Sequence, residues 1–266
     1  MTAVGLQSVV DFLEAFAPLE LAEDWDNVGL LVGDREQSVR RVMTCLTITP
    51  ASLAEACRES ADLVITHHPL PFRSLKRLTT DSTPGKMLLQ AIRSGVAIYS
   101  PHTAFDSARA GINHQLAAGI GLQEVQPLQP ADSLADIGAG RFGKLGVESS
   151  LEALAERVCE FLQIDSLELV GSAQQVVRQV AVACGSAGSF LEPAQRAGCD
   201  VLLTGETTFH TCLEAEAQGI GLLLPGHFHS ERFALLTLAQ TLSEQFPNLM
   251  IWASVEETDP IRRFAR

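Results

Sequence analysis

Four of the seven histidines, His67, His68, His102 and His227, stand directly behind short apolar runs, and each has a second imidazole or a carboxylate within four residues. In Thr66-His67-His68-Pro69 the two imidazoles are adjacent. Neighbouring side chains on an extended segment point to opposite sides, so this pair suits two metal ions better than one. Pro69 biases His68 toward an extended backbone. His102-x-x-x-Asp106 and His227-x-x-x-Glu231 share one spacing. On a helical turn, positions i and i+4 occupy one face, so each pair can reach a common site. Solvated strand ends and helices carry such features singly; their coincidence points to metal. The donors are imidazole and carboxylate, without thiolate. That set suits zinc, iron, manganese, cobalt or nickel and disfavours copper(I) and iron–sulfur chemistry. Calcium takes all-oxygen cages. Three histidines and two carboxylates exceed the three protein ligands of an ordinary catalytic zinc. They fit two ions about 3.5–4 Å apart, bridged by a carboxylate and a water.

The elements that must position these groups alternate in period. Helix-like stretches cover 6–17, 51–60, 84–94, 109–119, 151–163, 189–198, 207–218 and 231–245. Short runs rich in Val, Ile and Leu lie between them, at 42–48, 63–66, 96–100, 180–184, 201–204, 221–224 and 250–253. Alternation of this kind predicts an α/β fold with mixed sheets covered by helices on both faces. In open α/β sheets, ligands bind outside the carboxyl ends of the strands, where the four histidines fall. The pattern also repeats. Asp62-Leu-Val-Ile-Thr66 is followed by His67-His68, and Asp200-Val-Leu-Leu-Thr204 by Gly205-Glu206; in each half a later strand ends near proline and then gives His with an acid four residues on. Two related α/β lobes are expected. The segment 126–140, with Pro127, Pro130, Gly138 and Gly140, reads as the boundary between them. The first lobe then covers 1–125, completed by 232–266, and the second covers 126–231. Segment 141–147 could be an edge strand.

Bulk properties narrow the function class. The 266 residues are 46% hydrophobic, ordinary for a chain with a full core. A formal charge of −13 lacks the basic footprint of a nucleic-acid binder, and it favours solubility and the attraction of cations. No apolar run reaches the roughly 18 residues of a membrane helix. The first residues lack the pattern of a secretory signal, so a cytoplasmic location is expected. The six cysteines form no Cys-x-x-Cys pair and mostly sit in apolar runs, which reads as buried reduced thiols.

Taken together, the motifs resemble the NIF-three-like family, whose bacterial members are often labelled GTP cyclohydrolase 1 type 2 homologues. The resemblance is carried by Asp24-Trp-Asp-Asn-Val-Gly-Leu30 with Gly33, and by Thr66-His-His-Pro-Leu70 continuing to Phe72 and Leu75-Lys-Arg77. It continues through Tyr99-Ser-Pro-His-Thr103 with Asp106, Thr204-Gly-Glu206 with His210, and Gly226-His227 with Ser230-Glu231. It implies a two-lobed α/β fold, assembly into a toroidal homohexamer and a dinuclear metal centre facing the ring interior. By the same resemblance His67 and Asp106 hold one ion, His68 and His227 the other, and Glu231 bridges; His102 lies beside them as a proton-transfer group. The short link between lobes implies that the central insertion of longer relatives is absent.

Several residues keep two readings. His229 either substitutes as a ligand or faces solvent. His210 either lines the site or is a hydrogen-bonded helix residue, and His114 reads as an exposed helix position. Arg73, Lys76 and Arg77 either hold an anionic substrate group or belong to a solvated loop. Asp26 and Asn27 fix the turn before Gly29, with an approach to the site as the alternative. Glu206 stands where the second half repeats the His-His position, as a catalytic acid or base. The leading functional expectation is a metal-dependent hydrolase of a nucleotide-like or phosphate-bearing small molecule, since metal coordination lowers the pKa of water toward neutrality. The alternatives are a metal storage or delivery protein and a regulatory scaffold.

Overall fold

Contacts within the chain separate Met1–Phe105 with Ala234–Arg266 from Asp106–Phe233. The computed structural model describes residues 3–131 and 134–262. Along the first stretch run β1 (Val4–Gly5), α1 (Leu6–Phe16), β2 (Gly29–Val32), β3 (Ser38–Val39), β4 (Arg41–Thr47), α2 (Pro50–Arg58), β5 (Leu63–His68), α3 (Thr83–Arg93), β6 (Ala97–Ser100) and α4 (His102–Ser107). After these come α5 (Ile112–Gly119), β7 (Leu122–Ala131), β8 (Leu134–Ser150), α6 (Leu151–Leu162), β9 (Glu168–Val170), β10 (Val176–Ser186), α7 (Leu191–Arg196), β11 (Val201–Glu206), α8 (Phe209–Gln218), β12 (Gly221–Leu224), α9 (His227–Gln245) and β13 (Met250–Ala253). The chain is a mixed α/β fold, as the alternating periods predict.

In the first unit the sheet order is β13-β4-β5-β6-β2, with β2 alone antiparallel to its neighbour. Strands β4 to β6 are buried on both faces, which is why they read as continuous apolar runs. Pro50 at the start of α2 and the reciprocal bonds between Thr49 and Ser52 set where that helix begins. Helices α2 and α3 close one face over Leu53, Ala56, Leu88 and Ala91. In the second unit the order is β7-β8-β10-β11-β12-β9, with β10, β11 and β12 parallel. Helix α6 buries Leu151, Leu154 and Val158 on one face of that sheet, and α7 buries Leu191 and Ala194 in a second apolar cluster.

The internal echo is structural. Each unit has three parallel strands in sequence order beside an antiparallel edge strand. The two aspartates that open the echo make the same bonds. Asp62 Oδ2 accepts from the amides of Arg40 and Arg41 at 2.7 and 2.9 Å. Asp200 Oδ2 accepts from the amides of Arg178 and Gln179 at the same two distances. Gln37 and Gln175 donate Nε2 to the carbonyls of Asp62 and Asp200, both at 3.1 Å. Each aspartate locks the start of its strand to the preceding one, so the sequence match marks a shared local solution.

Two expectations change. The segment 126–140 lies mostly within β7 and β8, which pair as an antiparallel hairpin, and is not a boundary. Pro127 and Pro130 are tolerated because β7 is the edge strand, where a missing N–H costs no ladder bond. Segment 141–147 lies within β8, between β7 and β10, and is therefore interior. The units part between Phe105 and Asp106, well before 125, because α5 packs on β7, β8 and β10. Ala234 returns the chain to the first unit. No helix among the described residues is long and apolar enough to cross a membrane.

Candidate metal centre

Strand β5 ends in Thr66-His67-His68, and β6 ends at Ser100, two residues before His102. In the first unit, one ring nitrogen from each of His67, His68 and His102 lies within 4.8 Å of the others. Three converging imidazoles at strand carboxyl ends match the expected location. His67 is fully buried, and the Ser100 hydroxyl donates to its carbonyl at 2.6 Å. His68 Nδ1 lies 2.6 Å from the Thr47 hydroxyl, a contact that fixes the orientation of the ring. His102 has φ +28°, a conformation that side chains other than glycine rarely adopt. Such strain persists where the surroundings overdetermine it. Here the determinant is Asp26, whose Oδ1 lies 2.7 Å from His102 Nδ1 and whose Oδ2 accepts from the amide and hydroxyl of Thr103.

Burial alone would push the Asp26 carboxyl up, but the hydrogen bonds from His102 and Thr103 outweigh it and hold its pKa down to about 2. An ionised Asp26 keeps the proton of a neutral His102 on Nδ1, so Nε2 carries the lone pair. Asp26 therefore does more than shape a turn: it orients a site imidazole. Asn27 ties the same turn to the chain after the His-His pair through Nδ2 and the Pro71 carbonyl, at 2.8 Å. Asp26→Asn is expected to leave the fold intact and to move the His102 proton toward Nε2. Ring nitrogen shifts in long-range proton–nitrogen spectra check this; an unchanged tautomer would remove Asp26 from the site.

In the second unit, His227 opens α9 between two carboxylates. Its Nδ1 lies 2.9 Å from Glu206 Oε1 and its Nε2 lies 3.2 Å from Glu231 Oε2. The hydrogen bond with Glu231 is the main cause of a His227 pKa raised to about 9, against the opposing effect of burial. The two carboxylates make this a position where positive charge is favoured, as a proton or as a metal ion. Glu206 occupies the place of an orienting carboxylate. Glu231 itself is buried. Room for it comes from Gly185: a Cβ there would lie 2.3 Å from Glu231 Oε1. Gly205 serves the same helix end, since a Cβ there would meet Ser230 Oγ at 2.5 Å and the Gly185 carbonyl at 2.6 Å.

Asp106, one turn after His102 on α4, receives the Cys184 thiol at 3.2 Å. Burial, then the neighbouring Asp106 and Glu231 carboxylates, push that thiol well above its ordinary pKa, so it stays protonated and donates. Asn113 fixes the backbone on both sides, donating to the Asp106 carbonyl at 3.1 Å and accepting from the Cys184 amide at 2.7 Å. The buried Arg141 donates to the carbonyls of Ser107 and Ala108 just beyond Asp106.

Within each unit, then, His67, His68 and His102 are brought together, and so are Glu206, His227 and Glu231. His210 is exposed at the start of α8 beside Phe209, and His114 is half-buried rather than exposed. Gly185, Cys184, Asn113 and Arg141 are the positioning residues that sequence reading missed. Gly185 and Cys184 end an apolar strand run, and only the glycine in Val-Ala-Cys-Gly hinted at a close approach.

Comparison with known proteins covers nearly the whole chain. A family model described as Duf34/NIF3 (NGG1p interacting factor 3) matches residues 4–260. A GTP cyclohydrolase 1 type 2 homolog of Clostridium perfringens is 32% identical over 258 residues, covering 96% of this chain and 98% of its own. NIF3-like protein 1 of Drosophila melanogaster is 31% identical over 264 residues, covering 96% and 88%. The crystal structure of a Bacillus cereus protein related to NIF3 has a TM-score of 0.90 at 23% identity, covering 99% of this chain and all of its own; that likeness speaks for the fold.

Proposed function

The chain belongs to the Duf34/NIF3 family, and on that premise we propose that it is a dinuclear metal-dependent hydrolase acting on a nucleotide-like or phosphate-bearing small molecule. The observation that carries this reading is the trio His67, His68 and His102, whose ring nitrogens converge at strand ends while Asp26 orients one of them. Imidazole held by a buried carboxylate is the usual support of a metal-ligating or proton-moving histidine. The proposed ligands are His67 and Asp106 for one ion, His68 and His227 for the other, with Glu231 shared. The donor set fits a divalent transition metal: zinc, iron, manganese, cobalt or nickel. Bound divalent ions would supply a water acidic enough to ionise near neutrality and a Lewis acid for the electrophile.

The chain's own residues supply orientation and proton handling. Asp26 holds the His102 proton on Nδ1, so Nε2 takes a proton from the reacting water and returns it to the leaving group. Glu206, bonded to His227, fixes that ring and is the second candidate for proton transfer. The GTP cyclohydrolase name carried by relatives places opening of a purine ring among the reactions to be tried. A toroidal homohexamer in the cytoplasm belongs to the same proposal; a monomer by light scattering would contradict the assembly.

The test is elemental analysis of anaerobically purified protein, with hydrolase screening of the same sample over nucleotides and phosphoesters. Near two transition metals per chain with metal-dependent turnover is the expected result. Two metals without turnover would favour storage or delivery instead. Glu231→Gln, which keeps a neutral oxygen but loses the charge, is expected to lower the loading of both ions; undiminished loading would sink the shared-ligand assignment.

A further inference from the structure

Trp25 and Phe72 are 63% and 51% exposed, yet both border the buried histidine cluster of the first unit. Their ring centroids are 6.2 Å apart at an interplanar angle of 46°, and each lies 5.9 Å from the His102 ring. Two side-chain bonds tie down the backbone beside them. Asp26, next to Trp25, bonds His102, and Asn27 bonds the carbonyl of Pro71, next to Phe72. The rings are thus presented outward from two turns stapled to each other. At 6.2 Å they already touch, so no third ring fits between them; they form one wall, with His102 at its base. The segment directly after Phe72 exposes Arg73, Lys76 and Arg77, in a chain whose formal charge is −13.

The geometry points to a binding function for this wall: Trp25 stacks the planar heteroaromatic ring of the substrate, Phe72, inclined at 46° to Trp25, packs against its edge, and Arg73, Lys76 and Arg77 receive its anionic group. The inference rests on the metal-centre reading and extends it from the reacting atoms to the part of the substrate that is selected. A planar ring is favoured as occupant over a second protein copy because the wall is only two rings wide and abuts the imidazoles. Aromatic stacking accepts any flat π-face, and an adjacent guanidinium favours phosphate or carboxylate.

Calorimetric titration of the full chain with guanosine 5′-monophosphate and with ribose 5-phosphate tests this, on metal-loaded and on chelated protein. The nucleotide is expected to bind roughly ten-fold or more tighter than the sugar phosphate, the scale of one base–aromatic stack. Trp25→Ala and Phe72→Ala are expected to erase most of that preference, and Trp25→Phe to keep most of it. The inference is overturned if the preference survives both alanine variants, or if the unaltered protein binds the two probes equally or binds neither. It is also overturned if Trp25→Ala changes the light-scattering mass while leaving nucleotide affinity intact, which would make the wall a subunit contact. Metal analysis of the same samples separates the two readings. Retained metal with lost preference is expected, whereas loss of both in Trp25→Ala would make the ring a structural part of the centre and overturn its binding role. An unaltered protein without metal would defeat the centre but leave the stacking comparison decisive on the chelated protein.

Discussion

Gly185→Ala is expected to empty the proposed metal centre while leaving the fold standing. The added methyl would lie 2.3 Å from Glu231 Oε1 and 3.5 Å from His227 Nε2. Gly185 also has φ +65°, where an alanine costs roughly 1–2 kcal/mol of backbone strain. The nearest atom is the far end of a side chain and not backbone. The clash is therefore relieved by moving the Glu231 carboxylate, which is cheap for the fold and expensive for the proposed shared ligand, whose position would matter to about 0.5 Å. Metal per chain should fall toward zero, while the circular dichroism spectrum stays as it was and the urea midpoint drops only modestly. Full loading with unchanged stability would mean that Glu231 does not need its present place. Gly205→Ala is a useful companion, because its obstacles include the Gly185 carbonyl and the His227 Cα and it should cost stability as well.

The contrast shows what was legible in the sequence and what was not. His67 and His68 could be read because a strand end, a proline and two adjacent imidazoles coincide within four residues. The echo of Asp62 in Asp200 could be read because each aspartate opens its own strand and bonds the start of the strand just before it, so the same residue recurs at the same place in the repeated pattern. Asp26 could not be given its task, since the imidazole it holds is 76 residues away and the bond exists only after folding. Cys184 was correctly placed as a buried thiol, but nothing in Val-Ala-Cys-Gly says that the thiol donates to Asp106. Pro127 and Pro130 misled because a breaker in the interior of a sheet is ordinary composition on its edge. The division between the units was misplaced for a related reason: α5 is a short helix whose allegiance is decided by its packing on β8 and β10, not by its own pattern.

The C-terminal segment gives the second large effect, because it holds Thr47, the residue that meets His68. After α9 the chain returns to pair β13 with β4, and Glu55 on α2 then gathers the residues at and beyond the end of β13. Its buried carboxylate accepts from Trp252 Nε1 at 3.1 Å, from the Ser254 hydroxyl at 2.6 Å, and from the amides of Val255 and Glu256. With the segment so held, Glu257 accepts from the amides of Leu46 and Thr47 at 2.9 and 2.6 Å, and Thr47 is the residue whose hydroxyl meets His68 Nδ1. Glu55→Gln puts a donor where only donors converge and is expected to cost about 3 kcal/mol in urea unfolding. The same carboxylate sets an acid limit. Burial raises its pKa, but the bonds from Ser254, Val255, Glu256 and Trp252 outweigh this and leave it below the ordinary glutamate value. A group depressed in the folded state stabilises fully above its unfolded pKa of about 4.3 and loses that contribution as pH falls through the folded value. The unaltered protein should therefore lose stability below about pH 4.3 more steeply than Glu55→Gln, which has no carboxyl to protonate there. Parallel stability curves for the two proteins through that window would show that Glu55 gains nothing from its donors. The C-terminal clip, and the support it lends to His68 through Thr47, would then have to rest on Glu257 and the pairing of β13 alone.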